Sequence, residues 1–336
     1  MKVLITGGLG FLGKHVVQAL QSEHELVMPS RNELNLVNPM WPGCTMREWL
    51  HGAEAVNAYV REHRTIDAII HLAGNVGGIG YNQNNQGKLG YENLQMGLNV
   101  LEGARLANVK KVVMVGTTCS YPLRPKTIPF VEQELFDGMP ESTNSGYGIA
   151  KRTLIKLGME YASQYGMNIT NFVPANMYGP YDHFEDEKSH VIPAIIKKFE
   201  EAQKHPQVGI LTTHPDGLIT KEHWGIVELW GTGNASREFL YAEDCAIAIA
   251  LSLAKDTGPE PINLGTCREI TIAALAAMIK EVGKYDAHMH WDSSKPDGQP
   301  RRSLDVSRAK NVLGWEARTS LEVGLKQTIE WYRRHG

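Results

Sequence analysis

A doubly wound, parallel α/β sheet with a smaller mixed α/β second lobe is the fold this sequence predicts, on three observations. Short, mainly apolar runs (Val3-Leu4-Ile5, Ala68-Ile69-Ile70, Val112-Val113-Met114-Val115, Ile169 to Val173) alternate with helix-length segments. The first run passes at once into Gly7-Gly8-Leu9-Gly10-Phe11-Leu12-Gly13 and then into helical spacing at Val16, Val17 and Leu20. The 336 residues are 42% hydrophobic, enough for a large core and two lobes.

The strand, glycine turn and helix at the start set the first expectation. Gly7 permits a tight turn, Gly10 lets the backbone approach a pyrophosphate, and Gly13 permits close helix packing. The helix N-terminus then offers free N–H groups and partial positive charge to phosphates. A second strand, Leu26-Val27-Met28, ends at Pro29-Ser30-Arg31. An acidic residue near this point would favour the ribose 2′-OH of NAD, whereas Ser30 and Arg31 suit a 2′-phosphate, so NADP(H) is favoured over NAD(H).

Further along, residues 44–63 read as a helix and Ala68 to Leu72 as a buried strand, with His71 a core histidine. Gly74 to Gly90, rich in glycine and asparagine, reads as a long binding loop. Helix 91–107 and strand 112–115 follow, the strand ending at Thr117-Thr118-Cys119-Ser120-Tyr121. Ligands of such sheets bind beyond the carboxyl ends of the strands, where Gly7, Leu72 and Thr117 all emerge. Pro174 to Pro180 leaves the sheet. Helices are expected at 192–203, 272–282 and 321–334, and 204–227 reads as an insertion with a Pro/Gly turn. The expected dinucleotide-binding domain is 1–173 with 238–262, and the second domain is 174–237 with 263–336.

Ser145-Gly146-Tyr147-Gly148-Ile149-Ala150-Lys151 carries the chemistry of the first lobe. Tyr147 and Lys151 lie four apart, on one helix face and about 6 Å apart at Cβ. An adjacent ammonium favours the phenolate, and bringing Tyr147 from ~10 to about 7 asks roughly 4 kcal/mol. The net charge of -3 gives no field for nucleic acid or anionic membrane. The longest apolar run, about Cys245 to Ala254, is far short of the ~20 residues a bilayer span needs. Four scattered cysteines, no CxxC and no HExxH argue for a reducing cytoplasm and against a metal site. The chain opens directly on a strand, which reads as the absence of a signal peptide.

GGLGFLG, the Thr117 strand end and Tyr147-x-x-x-Lys151 together resemble the extended short-chain dehydrogenase/reductases that act on nucleotide sugars. Within that family the chain is similar to the GDP-L-fucose synthases, 3,5-epimerase/4-reductases of GDP-4-keto-6-deoxy-mannose. R-x-E-L-N-L from Arg31, H-L-A-G-x-V-G-G from His71, T-T-C-S-Y-P from Thr117, S-H-V-I-P-A from Ser189, W-G-T-G from Trp230, R-E-F-L from Arg237 and S-K-P-D-G from Ser294 carry the likeness. The resemblance implies Thr117, Cys119, Tyr147, Lys151 and His190 as catalytic residues. Cys119 and His190 would be the acid/base pair at C3 and C5, in an order left open. Tyr147 would protonate the C4 oxygen, helped by Lys151 and Thr117.

The same resemblance implies cofactor contacts from Gly7, Gly10, Phe11, Leu12, Gly13, Arg31, Leu72, Ala73, Tyr147, Lys151, Pro174, Asn176 and Met177. For a GDP-linked sugar it implies Asn176, His190, Val191, Lys198, Trp230, Arg237 and Lys295, with Trp230 either stacking or core. It also implies a homodimer through helices 91–107 and 147–166. Leu9 departs from the family, some members of which carry Arg there, and 40–52 and 204–227 are longer than expected. A GDP-heptose or another deoxyhexose fits the same catalytic set. A single-function 4-reductase or 4-epimerase would leave Cys119 and His190 idle, and a non-catalytic nucleotide sensor would have no need of Tyr147 and Lys151.

Overall fold

The computed structural model describes all residues except 38–51, 64, 187, 206–207, 214–218 and 296, and describes side chains outside 206–224. Taken in chain order, the first half comprises β1 (Lys2–Thr6), α1 (Phe11–Leu20), β2 (Glu25–Val27), α2 (Ala53–Glu62), β3 (Ala68–His71), α3 (Ile79–Asn84), α4 (Gln86–Leu106), β4 (Lys111–Val115), α5 (Ser145–Tyr165) and β5 (Asn168–Pro174). The second half comprises β6 (Asn176–Tyr178), α6 (Val191–Lys204), β7 (Val208–Thr213), β8 (Ile219–Trp230), β9 (Ser236–Tyr241), α7 (Ala242–Leu253), β10 (Pro261–Leu264), β11 (Glu269–Thr271), α8 (Ile272–Gly283), β12 (Ala287–Asp292), α9 (Ser307–Leu313) and α10 (Leu321–His335).

Six strands form one sheet in the order β2-β1-β3-β4-β5-β10, and every pairing in it is parallel. The chain reverses its direction of travel across the sheet between β1 and β3, which opens a crevice at their carboxyl ends. Both faces are covered. Val3, Ile5, Ile70, Val113 and Phe172 pack beneath α1, α7 and α9, and Leu4, Ile69, Val112 and Ile169 pack beneath α2 and α4. That double coverage is why these strands are apolar without alternation.

A third cluster builds the second lobe from α6, α8, α10 and strands β8 and β12. β9 joins the lobes by its two-residue period: Leu240 packs in the first core, Phe239 and Tyr241 in the third. It pairs with β6 and β11 in a small sheet of its own, rather than extending the main sheet. Leu304, Ala309, Leu313 and Trp315 also pack in the first core, so 304–315 sits with the dinucleotide lobe instead of the second one expected from sequence.

Other differences have local causes. The expected helix 44–63 is α2, Ala53–Glu62, while 44–51 falls outside the described residues. The expected loop 74–90 contains α3, and α4 begins at Gln86. Glycines are tolerated in α4 because neighbours use the space: a Cβ at Gly97 would strike Leu154, and one at Gly103 would strike Val56. The 204–227 segment forms β7 and most of β8, an antiparallel pair whose second strand lies parallel to β12. No helix among the described residues is long and apolar enough to cross a membrane.

The glycine turn is the tightest packing in the first lobe. Gly7 has φ +76°, and a Cβ there would lie 2.7 Å from the Ala73 nitrogen; a Cβ at Gly13 would overlap the Gly7 carbonyl oxygen. Gly13→Ala is therefore expected to lose ~1–3 kcal/mol through overpacking. At Gly87 an added methyl group would meet nothing within 4 Å, so its replacement by Ala should gain ~0.5–1 kcal/mol. Thermal unfolding of the two variants checks this; equal melting temperatures would contradict it.

Candidate active site

A cavity of about 1560 Å³ runs from the glycine turn across the carboxyl edge of the main sheet to the second lobe. At one end lie Gly7, Gly10, Phe11, Leu12 and Gly13, with Arg31, Leu72 and Ala73 beside them. The first α1 hydrogen bond runs from Lys14 N–H to Gly10 O at 3.0 Å. The N–H groups of Phe11, Leu12 and Gly13 are thus left outside the ladder, on residues that line the cavity. Uncapped by any side chain, this helix start and its glycine-rich turn fit a diphosphate. At the end of β2, Ser30 and Glu33 cap each other, Ser30 N–H to the carboxylate at 2.8 Å and Glu33 N–H to Ser30 Oγ at 3.3 Å. That occupies the nearest carboxylate and leaves Arg31 exposed at the cavity, where a 2′-phosphate fits.

The middle of the cavity holds Thr117, Cys119, Tyr147 and Lys151, with His190 on the second-lobe side. Thr117 and Cys119 stand at the end of β4, where a short 3₁₀ turn, Thr118–Ser120, begins and Thr117 Oγ1 accepts the Cys119 N–H at 3.2 Å. The α5 helix seats against this turn at Gly148, where a Cβ would overlap the Cys119 carbonyl. Arg152, one turn beyond Gly148, donates through Nε to Ser120 O at 2.7 Å and fixes the turn further.

Burial sets the charge state of the Tyr147–Lys151 pair, and here the sequence expectation needs correcting. The Lys151 ammonium donates to Val115 O at 3.0 Å, and burial pulls it down to about 8. Burial, with Cys119 adding to it, pushes the Tyr147 phenol above its ordinary range; a Thr117 hydrogen bond opposes this. Both shifts have one cause, since a buried site disfavours whichever form is charged. Tyr147 is accordingly protonated at neutral pH, the form a proton donor needs. His71 behaves as the core histidine expected: its Nδ1 lies 2.8 Å from Thr6 Oγ1, and burial, then Lys151, pull it down to about 3.

Two buried ionisable groups sit behind the pair implied for the carbon chemistry, and the sequence signals neither of them. Arg302 places Nη1 3.6 Å from Cys119 Sγ, while Nη2 donates to Glu141 at 3.1 Å and Nε to Gln299 Oε1 at 3.1 Å. The sulfur is thereby aimed by a guanidinium that is itself held on two other sides. Asp182 is 5% exposed, and its Oδ1 lies 4.0 Å from His190 Nδ1. Burial raises its carboxyl to about 7 against one opposing hydrogen bond from the His183 N–H, and burial, then His183, pull His190 down. Asp182 follows Gly179-Pro180-Tyr181, a turn signal, but nothing local marks its carboxyl as buried.

Toward the second lobe the cavity is lined by Pro174, Asn176, Met177, Val191, Lys198, Trp230 and Arg237. Trp230 is 58% exposed, which excludes the core alternative, and the Lys198 and Lys295 ammoniums lie 5.8 and 5.6 Å from its ring centre. Lys295 is outside the cavity lining and stands at the site's margin over this ring. Arg237 donates to Gln299 O at 2.6 Å; burial, then Arg302, pull it down to about 10, still a cation at pH 7.

Residues 3–265 match the model of the NAD dependent epimerase/dehydratase family. The chain is similar to a GDP-L-fucose synthase from Escherichia coli K12, 35% identical across 98% of this chain and 96% of the relative. It is 34% identical to a GDP-L-colitose synthase from Yersinia pseudotuberculosis, over 99% and 98% of the two chains. Among solved structures, a GDP-mannoheptose C4 reductase from Campylobacter jejuni with NADP bound superposes with a TM-score of 0.81 at 29% identity, covering 99% of this chain and 98% of that one.

The buried Asp182 carboxyl has a stability signature. Its folded value of about 7 lies above the ordinary value of 3.8, so the folded state holds this proton more tightly. The stabilisation is complete below 3.8 and is lost as pH rises through 7, by up to roughly 4 kcal/mol. Asp182→Asn removes that loss, so its melting temperature relative to the parent should be several degrees more favourable at pH 8 than at pH 5. A pH-independent difference in thermal unfolding would refute the assignment.

Proposed function

Since the chain belongs to the NAD-dependent epimerase/dehydratase family, we propose that it is an NADPH-dependent 3,5-epimerase and 4-reductase of a GDP-linked 4-keto-6-deoxy sugar. The product would be GDP-L-fucose or a close relative. One observation carries this reading: Cys119, His190, Tyr147 and Lys151 line the same cavity. A thiol and an imidazole are the two side-chain groups that exchange protons most readily near neutrality, and a simple reductase has no use for them.

In this reading the C4 ketone acidifies the C–H bonds at C3 and C5. One of Cys119 and His190 removes a proton and the other returns one to the opposite face. When bound, NADPH supplies the hydride for C4, held by the glycine turn, the α1 N-terminus and Arg31. Tyr147 gives its phenolic proton to the C4 oxygen. The Thr117 hydroxyl hydrogen-bonds that oxygen, and the Lys151 ammonium, one helical turn on from Tyr147, steadies the phenolate left behind. Arg237, Lys198 and Lys295 offer cations to the diphosphate, with Asn176 and Val191 beside the sugar. The exposed Trp230 ring, flanked by two ammoniums, offers a face to the base. A homodimer through α4 and α5 in the cytoplasm completes the reading; Tyr91 and Tyr165 on those helices are exposed, and Cys119, Cys245 and Cys267 are free thiols.

The solved GDP-mannoheptose C4 reductase gives reason to keep a second reading, a C4 reductase of a GDP-heptose. Incubation with GDP-4-keto-6-deoxy-mannose in D₂O, with and without NADPH, separates the two. Deuterium at C3 and C5 with NADPH oxidation is expected, whereas oxidation without exchange would favour the reductase. Tyr147→Phe should abolish NADPH oxidation and keep exchange. Cys119→Ser should slow exchange by ~10²–10⁴, the scale of one acid/base group. Equal loss of both activities in Tyr147→Phe, read by mass spectrometry and absorbance, would end the proposed division of labour.

A further inference from the structure

The fold brings the Asp182 carboxyl and the His190 imidazole together and leaves one buried atom of each unmatched. Asp182 Oδ2 and His190 Nδ1 are both buried without a hydrogen-bond partner. Each such atom costs ~1–3 kcal/mol when left unsatisfied. The carboxyl's other oxygen accepts the His183 N–H at 2.7 Å and stands 4.0 Å from His190 Nδ1. Closing about 1 Å, by a small turn of the imidazole, would bring that pair within hydrogen-bond range.

The backbone on both sides is built to hold this arrangement. Tyr181, just before the aspartate, has φ +70°, a left-handed conformation unusual for a bulky residue. Its ring is held in place by the Lys14 ammonium at 4.7 Å, by the Trp331 ring at 5.3 Å and by a Gln18 hydrogen bond of 3.2 Å to its hydroxyl. Strain of this kind persists where surrounding contacts over-determine it. His190 is the residue before α6, in extended conformation, so its ring is not committed to the helix. The loop before α3 braces the segment: a Cβ at Gly78 would lie 2.6 Å from Ser189 O. The His190 side chain is 41% exposed although its Nδ1 is buried, so the rest of the ring opens to the cavity.

We propose that Asp182 is a positioning residue for His190, engaging Nδ1 so that the imidazole keeps one tautomer and orientation and presents Nε2 to the substrate carbon. A neutral His190 then carries its proton on Nδ1 and offers a bare Nε2 as base; when doubly protonated, it offers Nε2–H as acid, its charge balanced by the carboxylate. The other titratable groups around the ring are His183, which opposes that charge, Asp186 and Lys188 on the same wall, and Cys119 and Tyr147 across the cavity. Glu185 lies 3.8 Å from His183.

The role in proton exchange rests on the function proposed above; the coupling itself does not, and the test keeps the two apart. Histidine-labelled protein is titrated by NMR, with the His190 signal identified by its loss in His190→Gln. In Asp182→Asn the His190 midpoint should move by about one pH unit or more, because the group with which the imidazole shares a proton is gone. Asp182→Glu should retain part of the coupling and serves as the comparison if the asparagine variant does not fold. In D₂O exchange, Asp182→Asn should reduce kcat on the order of tenfold or more, with KM little changed and the pH optimum displaced. Unchanged His190 midpoints in both variants would overturn the proposal, as would full exchange activity in Asp182→Asn. If the parent protein shows no exchange while the midpoints move, the substrate reading fails and the Asp182–His190 coupling stands.

Discussion

The seating of α5 against the turn after β4 is the contact on which the site depends. It is made backbone to backbone. A side chain at Gly148 would occupy the place of the Cys119 carbonyl, and one at Gly146 would occupy that of the Gln86 carbonyl at the start of α4. Polar bonds lock the seat: Ser120 Oγ donates to Gly148 O at 3.1 Å, and the buried Arg152 donates to Ser120 O. Because Tyr147 lies between those two glycines, its distance from Thr117 and Cys119 is set by main-chain contact rather than by flexible side chains. Close packing of this kind transmits small displacements, so the geometry of the phenol and that of the thiol cannot be altered separately.

Onto this rigid half the second lobe brings His190, Lys198, Trp230 and Arg237. The joining element is β9, whose alternate residues enter different cores, so the two lobes share a strand instead of meeting across a hinge. Glu238 reinforces the junction. It is almost fully buried, and its carboxylate accepts the N–H groups of Cys267 and Leu304, both at 2.7 Å, and that of Thr266. A buried carboxylate is tolerable with several such donors. They come from segments on either side of α8 and β12, and this draws the Arg302 strand-like stretch toward Cys119.

What can be read from the sequence follows the range of the interactions. The glycine turn, strands β1 to β5 and the Tyr147–Lys151 spacing are local patterns, and each appears where expected, whereas β10 at the sheet edge is not expected from sequence. The start of α4 is hidden because glycine content argues for a loop; in the fold Gly90 lies against the Gly146 backbone of α5, a contact that no local pattern reveals. Arg302 lies 183 residues from Cys119, and no spacing rule spans that distance. Asp182 is hidden for another reason: its position in the chain is conspicuous, but burial of its carboxyl depends on the packing of Tyr181 against α1 and α10. The sign of the Tyr147 shift escapes the sequence in the same way. Proximity to an ammonium is legible in an i, i+4 pattern, whereas desolvation is a property of the folded enclosure.

Depth also separates the two kinds of proton transfer. Tyr147 and Lys151 are 8% and 5% exposed, and at that depth burial drives each toward its neutral form. A phenol in such a place keeps its proton until a strong acceptor develops beside it, which a ketone oxygen becomes only as hydride arrives at its carbon. As the acid of the proposed function, Tyr147 would thus be quiet at rest and would act only in the reduction step. His190 is different, with one edge of its ring open to the cavity and the other against a buried carboxyl. In the proposed function, an imidazole so placed would exchange protons with the sugar carbons before reduction begins. In the same proposal, epimerisation would precede reduction because the C4 ketone that acidifies C3 and C5 is consumed once hydride arrives.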